Sequence, residues 1–92
     1  MPAPKPVQNY VFTEHALAEM ARRGISKDEV ATVLAGPEQS EPVRKGRAAY
    51  QSKISLGDMS KEYVLRVFVD VDRDPPEVVT AYRTSKIEKY WR

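Results

Sequence analysis

Two short helices that meet at a tight corner are predicted for the first third of the chain. Thr13 is a favourable N-cap for the first helix, and Leu17 and Met20 recur at the spacing of an apolar helical stripe. Gly24 fits the left-handed backbone position that commonly ends a helix, because a side chain is disfavoured there. The first helix is therefore expected to end next to Arg23, with a sharp change of chain direction after it.

The second helix follows without a linker. Ser26 and Glu29 have the spacing of a capping box, in which each of the two side chains accepts a hydrogen bond from the other residue's backbone N–H. Val30 and Val33 supply an apolar stripe, and Gly36-Pro37 ends the helix.

The hydrophobic period changes to two after Pro37, which predicts strands. They are expected at residues 40–44, 47–56, 62–71 and 77–83, and a short helix capped by Thr84 or Ser85 then runs to Trp91. The core-facing side of the strongest strand is formed by Tyr63, Leu65, Val67, Val69 and Val71. Short turns between successive strands make them antiparallel. The predicted fold class is α+β, with two N-terminal helices packed on a three- to four-stranded antiparallel sheet and a short C-terminal helix.

Length and composition restrict the class of protein. The chain has 92 residues, no Cys and one His, which excludes disulfides and zinc clusters. One domain is predicted over residues 10–92, preceded by a disordered N-terminal arm over residues 1–9. No apolar run approaches the roughly 18 residues of a membrane span, so a cytoplasmic protein without membrane contact is expected.

Charge and acidic spacing say little about ligands. The net charge of +2 is weak evidence for a nucleic-acid partner. The run from Asp70 to Asp74 resembles the start of a calcium loop, but Pro75 and Ala81 stand where that loop requires Gly and Glu. No metal and no cofactor are predicted.

His15 is the first candidate for catalysis. It lies about two residues inside the first helix, where the positive end of the helix dipole favours a neutral imidazole. A neutral imidazole is a usable general base. The alternative is a surface or half-packed histidine with a local hydrogen bond.

Basic side chains form the second group of candidates. Arg22 and Arg23 lie in the last turn of the first helix, where cations are favoured by the helix dipole and where one of them can hold a phosphate. The candidates on predicted strands are Arg47, Lys53, Arg66 and Arg83, with Tyr82 beside them. Several guanidinium groups on one sheet face could bind a phosphate and stabilise its developing charge.

Arg66 and the C-terminal lysines have alternative interpretations. Arg66 interrupts the run V-L-R-V-F-V, so its charge needs either a function or an ion pair with Glu62, Asp70 or a neighbouring strand. Lys86 and Lys89 give the last helix a basic face. The aromatic residues beside them, Tyr90 and Trp91, are interpreted as core anchors rather than platforms for bases.

A helix-turn-helix over residues 14–34 is the alternative functional interpretation. Gly24 and Val30 have suitable spacing for the turn and the second helix. Met20 is large for a position where two helices pack closely, and Asp28 and Glu29 would repel a DNA backbone. This reading gives a non-catalytic nucleic-acid-binding or partner-binding regulatory module.

Three segments together resemble a known family. They are H-A-L-A-E-M-A-R-R-G-I-S from His15, R-x-x-Y from Arg47, and V-V-T-A-Y-R ending at Arg83. The chain is similar over 12–83 to small bacterial proteins of a domain-of-unknown-function family with the pattern H-A-x-x-R-M-x-x-R-G-I-S. That family is grouped with the barnase–EndoU–colicin–RelE-like fold of ribonucleases, in which BrnT-like toxins are relatives. One position departs from the pattern, since Glu19 stands where the family has a basic residue.

The resemblance implies a RelE- or barnase-like fold and a metal-independent endoribonuclease, with the toxin of a toxin–antitoxin pair as a possible role. The matching polar residues are His15, Arg23, Arg47, Tyr82 and Arg83. In the resulting hypothesis His15 is base or acid, Tyr82 supplies the other proton, and Arg66 and Arg83 hold the phosphate. Arg23, Arg47, Lys53 and Lys86 are expected to contact RNA. The expected partners are RNA and an antitoxin protein; the oligomeric state is left open.

Overall fold

The structure is a computed structural model that describes residues 4–56 and 61–91, with only the backbone described at residue 56. Its elements, in chain order, are β1 (Val11–Phe12), α1 (Glu14–Arg23), α2 (Lys27–Ala35), β2 (Gln39–Arg44), β3 (Arg47–Leu56), β4 (Lys61–Asp70), β5 (Glu77–Thr84) and α3 (Ile87–Tyr90). The α+β fold class is confirmed. The predicted turn at 57–60 lies outside the described residues.

The corner between α1 and α2 forms as the sequence predicts. The Thr13 hydroxyl accepts a hydrogen bond from the Ala16 N–H, and Gly24 has φ of 68°. The Ile25 N–H donates to the Met20 carbonyl at 2.8 Å, which satisfies an otherwise unpaired carbonyl at the helix end. The capping box of α2 is present, with Ser26 and Glu29 bonded in both directions.

The sheet has five strands rather than three or four, in the order β1-β5-β4-β3-β2. The pairs β2–β3, β3–β4 and β4–β5 are antiparallel, as predicted. The prediction of a purely antiparallel sheet is wrong, because β1 pairs with β5 in parallel. Two residues are too few to show a strand period, so only the fold reveals this pairing.

The hydrophobic core lies between the two helices and one face of the sheet. Side chains of α1 and α2 pack there against alternate residues of β4 and β5; the fully buried ones include Ala16, Val30, Leu34, Leu65, Val67, Val69 and Ala81. The prediction that Val71 faces this core is wrong. The strand ends at Asp70, and Val71 is exposed.

The opposite face of the sheet is covered in part by α3. The Gln51 side chain donates to the Tyr90 carbonyl at 2.9 Å, and the Tyr90 ring lies 4.5 Å from the Arg66 guanidinium carbon. Lys86 occupies the N-cap position of α3 and gives it no side-chain cap. The predicted capping by Thr84 or Ser85 is therefore wrong, although the Thr84 hydroxyl does accept from the Lys86 N–H.

The segment before β1 has no helix or strand between residues 4 and 10, but it touches the domain. The Val7 N–H donates to the Leu34 carbonyl at 2.9 Å, and Val7 packs against the core. Among the residues described, no helix combines the length and apolar character that a membrane crossing requires.

Candidate functional site

A compact group of charged side chains lies on the outer side of α1. Its members are His15, Glu19, Arg22 and Arg23, which we call the α1 cluster. Positions three and four apart on a helix are neighbours, so the helix alone brings these side chains together. The imidazole Nε2 lies 3.8 Å from a Glu19 carboxylate oxygen. The His15 side chain is 71% exposed, which leaves it open to a substrate.

Glu19 is the centre of the α1 cluster. Both Arg22 and Arg23 direct guanidinium nitrogens to its carboxylate, Arg22 through Nε at 2.9 Å and a second nitrogen, and Arg23 at 3.5 Å. The hydrogen bond from Arg22 lowers the pKa of the Glu19 carboxyl, and the charges of Arg22, Arg23 and His15 act in the same direction. Glu19 is therefore an anion at neutral pH. It fixes two guanidinium groups beside the imidazole.

Arg23 connects the α1 cluster to the sheet. Its guanidinium donates to the Ala81 carbonyl at 2.9 Å and to the Thr80 hydroxyl at 3.2 Å. These contacts attach the end of α1 to β5. The Arg23 side chain stays one-third exposed, so part of its guanidinium still faces solvent.

Arg66 and Tyr82 lie together on the other face of the sheet. The Arg66 side chain is 7% exposed, and its three guanidinium nitrogens donate to Gln51, Tyr82 and Glu41. The rings of Phe68, Tyr82 and Tyr90 surround its guanidinium carbon at 4.5 to 5.8 Å. Burial raises the pKa of the Tyr82 hydroxyl despite the opposing effect of Arg66. Arg66 is in an ion pair, as the alternative interpretation predicted, but its partner is neither Glu62, nor Asp70, nor a residue of an adjacent strand. The partner is Glu41 on β2, which is separated from β4 by β3.

Arg83 lies on the helix-facing side of β5, beneath the corner between α1 and α2. Its guanidinium donates to the Arg23 carbonyl at 2.8 Å and lies 3.4 Å from a Glu29 carboxylate oxygen. It thus satisfies a carbonyl at the end of α1 and links the two helices through the capping-box glutamate.

The remaining candidates for nucleic-acid contact are separated along the sheet. Arg47 makes a two-point contact with Asp70, at 2.6 and 3.2 Å. Lys53 lies six residues further along β3, with its ammonium 4.5 Å from the centre of the Trp91 ring. Lys86 is exposed just before α3.

The structure does not bring His15 together with Arg66, Tyr82 and Arg83 in the one site that the sequence predicted. Arg66 and Tyr82 are in contact, but Arg83 faces the helices and His15 lies on the outside of α1. Successive side chains of β4 point to alternate faces of the sheet, so Arg66 lies on the face away from the helices, while Leu65 and Val67 face them. The imidazole instead has helical neighbours as its charged partners.

Sequence reasoning missed Glu19 as a member of the site. The signal was present, because Glu19 is four residues after His15, three before Arg22 and four before Arg23. The family resemblance marks Glu19 only as a departure from the pattern. Its spacing to three charged neighbours on one helix was the informative property.

The helix-turn-helix alternative finds little support in α2. Its apolar side is buried against the core at Val30, Val33 and Leu34. Its first turn carries Asp28 and Glu29, and Glu29 is occupied by its cap and by Arg83. An acidic N-terminal turn is unsuited to entering a DNA groove.

No group of three or more His, Asp or Glu side chains suitable for a metal ion occurs in the described part of the chain.

Comparison with known proteins places the chain in a family. Neither the curated proteins nor the solved structures contain a match to it. A family model described as "Domain of unknown function (DUF4258)" matches residues 12–83, from the end of β1 to β5. The match includes the α1 cluster, the capped corner and the four strands β2 to β5. The chain belongs to the family Domain of unknown function (DUF4258).

Proposed function

We propose that the protein is a metal-independent endoribonuclease that uses the α1 cluster. The observation that supports this most directly is the exposed imidazole of His15 at 3.8 Å from Glu19, beside two guanidinium groups. RNA cleavage of this kind needs a proton acceptor and cations, and it needs no metal ion. The α1 cluster supplies both within about two turns of one helix.

The reaction begins at the 2′-hydroxyl next to the cleaved bond. His15 accepts the proton as the 2′-oxygen attacks the neighbouring phosphorus. A bond forms between phosphorus and the 2′-oxygen, and the bond to the 5′-oxygen breaks. Because the site is open, water supplies the proton that the departing 5′-oxygen takes up, and the hydroxide left behind accepts the proton held by the His15 imidazolium, which restores both the water and the neutral base. The products are a 2′,3′-cyclic phosphate and a 5′-hydroxyl.

The charged neighbours of His15 have separate tasks. The Glu19 anion stabilises the imidazolium that forms during proton transfer. Since its pKa is lowered by Arg22, Glu19 is a poorer proton acceptor than the imidazole, which leaves that task to His15. The exposed parts of Arg22 and Arg23 stabilise the charge that develops on the phosphate oxygens.

Arg66, Tyr82 and Arg83 do not take part in the chemistry in this proposal. Arg66 and Tyr82 bind each other in the interior, and Arg83 holds the end of α1 from beneath. The proposal keeps the ribonuclease activity expected from the sequence but assigns the catalytic groups to α1 alone. We extend the proposal to a RelE- or barnase-like relationship and to a toxin role, both implied by the resemblance; a neighbouring gene for a small partner protein would support the toxin role.

Removal of the imidazole tests the proposal. The purified protein should cleave single-stranded RNA in the presence of EDTA, and His15→Ala should reduce the rate about 100-fold or more, because general acid–base groups contribute at that scale. Glu19→Gln keeps the acceptor oxygen but removes the charge, so a smaller loss is expected. Glu14→Ala is the matched control on the same helix, since Glu14 is exposed and outside the cluster.

Two outcomes contradict the proposal. The first is an unmodified protein that leaves RNA intact over a range of substrates. The second is cleavage that survives His15→Ala at the same rate as Glu14→Ala. Circular dichroism spectra of all variants separate a chemical effect from unfolding.

A further inference from the structure

The surface formed by Lys53, Lys86, Lys89 and Trp91 differs in charge arrangement from several of the arginines. Arg22, Arg47, Arg66 and Arg83 each have a carboxylate partner within 4 Å. No ion pair is found for Lys53, Lys86 or Lys89 within residues 4–56 and 61–91. We call this set the C-terminal lysine surface.

Aromatic rings order two of these lysines without neutralising them. The ammonium of Lys53 lies 4.5 Å from the centre of the Trp91 ring, and that of Lys89 lies 5.3 Å from the centre of the Tyr90 ring. A cation over an aromatic face is attracted by the ring quadrupole and keeps its full charge. The charges are therefore positioned but remain available to an anion.

The backbone fixes the relative position of these groups. The Tyr90 carbonyl is bonded to Gln51, which lies two residues before Lys53 on the same face of β3. Lys86 and Lys89 are three residues apart at the start and in the last turn of α3, and an open depression lined by residues 85–89 lies beside them. The acids nearby are Glu88 in α3 and Glu38, whose carboxylate accepts from the Lys53 backbone N–H.

The local field on Tyr90 agrees with this arrangement. The hydrogen bond from Tyr82 holds the pKa of the Tyr90 hydroxyl below its usual value, and the charges of Lys89 and Arg66 add to the effect. Two cations therefore contribute to the electrostatic environment of the Tyr90 hydroxyl.

We propose that the C-terminal lysine surface binds the phosphates of single-stranded RNA away from the cleaved bond. Unpaired, ordered ammonium groups beside a partly exposed Trp91 ring match the combination of cations and aromatic faces that single-stranded nucleic acid prefers. This inference rests on the proposed function for its choice of RNA.

The position of this surface suits a second contact on the same RNA. Arg23 of the α1 cluster bonds Ala81 on β5, and the chain continues from there to Lys86. Five residues of extended chain span at most about 17 Å. Since α1 and α3 lie on opposite faces of the sheet, an RNA strand bound at the α1 cluster passes round the sheet to reach Lys86, and the surface would hold the flanking part of the substrate.

Binding can be measured separately from cleavage. Anisotropy of a fluorescein-labelled single-stranded RNA is titrated with His15→Ala protein, which should not cut it, at several salt concentrations. Replacing Lys53, Lys86 and Lys89 by Gln should raise Kd about tenfold at low salt. It should also lower the slope of log K against log salt by about 2, since each phosphate contact contributes about 0.7 for single strands.

A matched triple variant controls for bulk charge. Replacing Lys5, Lys27 and Lys45 by Gln removes the same charge from exposed positions elsewhere, and Lys27 is likewise held over a ring, that of Phe12. This variant should change Kd less than twofold. Equal weakening by the two triple variants would overturn the inference, as would no weakening by the first.

The outcomes for the two proposals are distinguishable. If RNA binds through these lysines but unmodified protein never cuts it, the ribonuclease proposal fails and the binding surface stands. If cleavage occurs and the lysine variant binds RNA normally, the binding surface fails alone. Binding of polyglutamate in place of RNA would overturn the choice of partner and assign the surface to an acidic protein.

Discussion

At the scale of single residues, Arg66 has the most unusual environment among the residues described. A guanidinium in the middle of a central strand is surrounded by three rings and bonded to Glu41, Gln51 and Tyr82. Its partner Glu41 is more exposed, at 21% against 7% for the Arg66 side chain. The two ends of this ion pair are therefore unequal. Loss of Arg66 leaves a carboxylate that water can reach, whereas loss of Glu41 leaves a buried cation.

This asymmetry predicts the order of stabilities in a mutant cycle. Glu41→Ala should lower the free energy of unfolding by about 3 kcal/mol, because an uncompensated buried charge costs 3–5 kcal/mol. Arg66→Met should cost less, since methionine fills space among aromatic rings. Adding Arg66→Met to Glu41→Ala should restore part of the loss. Urea unfolding followed by circular dichroism measures all three, and a double variant whose loss equals the sum of the single losses would contradict the argument.

At the scale of elements, the corner between α1 and α2 depends on the backbone conformation of Gly24. A Cβ built there would lie 3.6 Å from an Arg83 nitrogen, which is ordinary contact. Space is therefore not what requires glycine. The requirement comes from φ of 68°, which costs other residues roughly 1–2 kcal/mol.

Two substitutions separate conformation from contact at this corner. Gly24→Ala should lower the free energy of unfolding by about 1–2 kcal/mol. Gly24→Asn should cost less although its side chain is larger, because asparagine tolerates the left-handed region. Thermal or urea unfolding gives the comparison. A larger loss for asparagine than for alanine would mean that crowding against Arg83 decides the outcome.

The elements differ in how far the sequence predicts them, and the reason is the range of the interactions. The caps at Thr13 and Ser26 depend on residues three positions away, so the sequence displays them directly. The cluster around Glu19 is equally local and could have been found by helical spacing. The parallel pairing of β1 depends on Glu77 and Val78, more than 60 residues later, and no local pattern records it.

At the scale of the whole molecule, pairing of distant residues decides which candidates meet. The alternation in β4 predicts that Arg66 faces away from Leu65, but not what covers that face. The cover is the C-terminal segment, whose Tyr90 reaches back to β3 and β4. The basic residues of the strands therefore lie in different places: Arg66 is buried, Arg83 lies beneath the helices, and Arg47 and Lys53 lie apart along β3. Basic residues on several strands predict a shared site only when it is known which face of the sheet each one occupies and which segment packs on that face.

The response of the whole fold to acid follows from one such distant pair. The hydrogen bond from Arg47 lowers the pKa of the Asp70 carboxyl, so the folded protein keeps this group ionised at a pH where the unfolded chain protonates it, near 3.9. The unfolded state then binds more protons, and stability falls as the pH drops. The contribution is complete above about pH 5 and is lost below the ordinary carboxyl range.

Asp70→Asn should remove this pH-dependent contribution. At pH 7 its free energy of unfolding should be lower by roughly 1.5–3 kcal/mol, the usual value of a hydrogen bond to a charged group. Between about pH 5 and pH 3 its stability should fall less steeply than that of the unmodified protein. Urea midpoints measured across this range give both curves, with Glu62→Gln, an exposed carboxylate at the start of β4, as the matched control. The control should follow the unmodified protein. If the Arg47–Asp70 pair stabilises the fold only while Asp70 is ionised, the two curves must converge in acid. Parallel curves for Asp70→Asn and the unmodified protein would therefore contradict the argument.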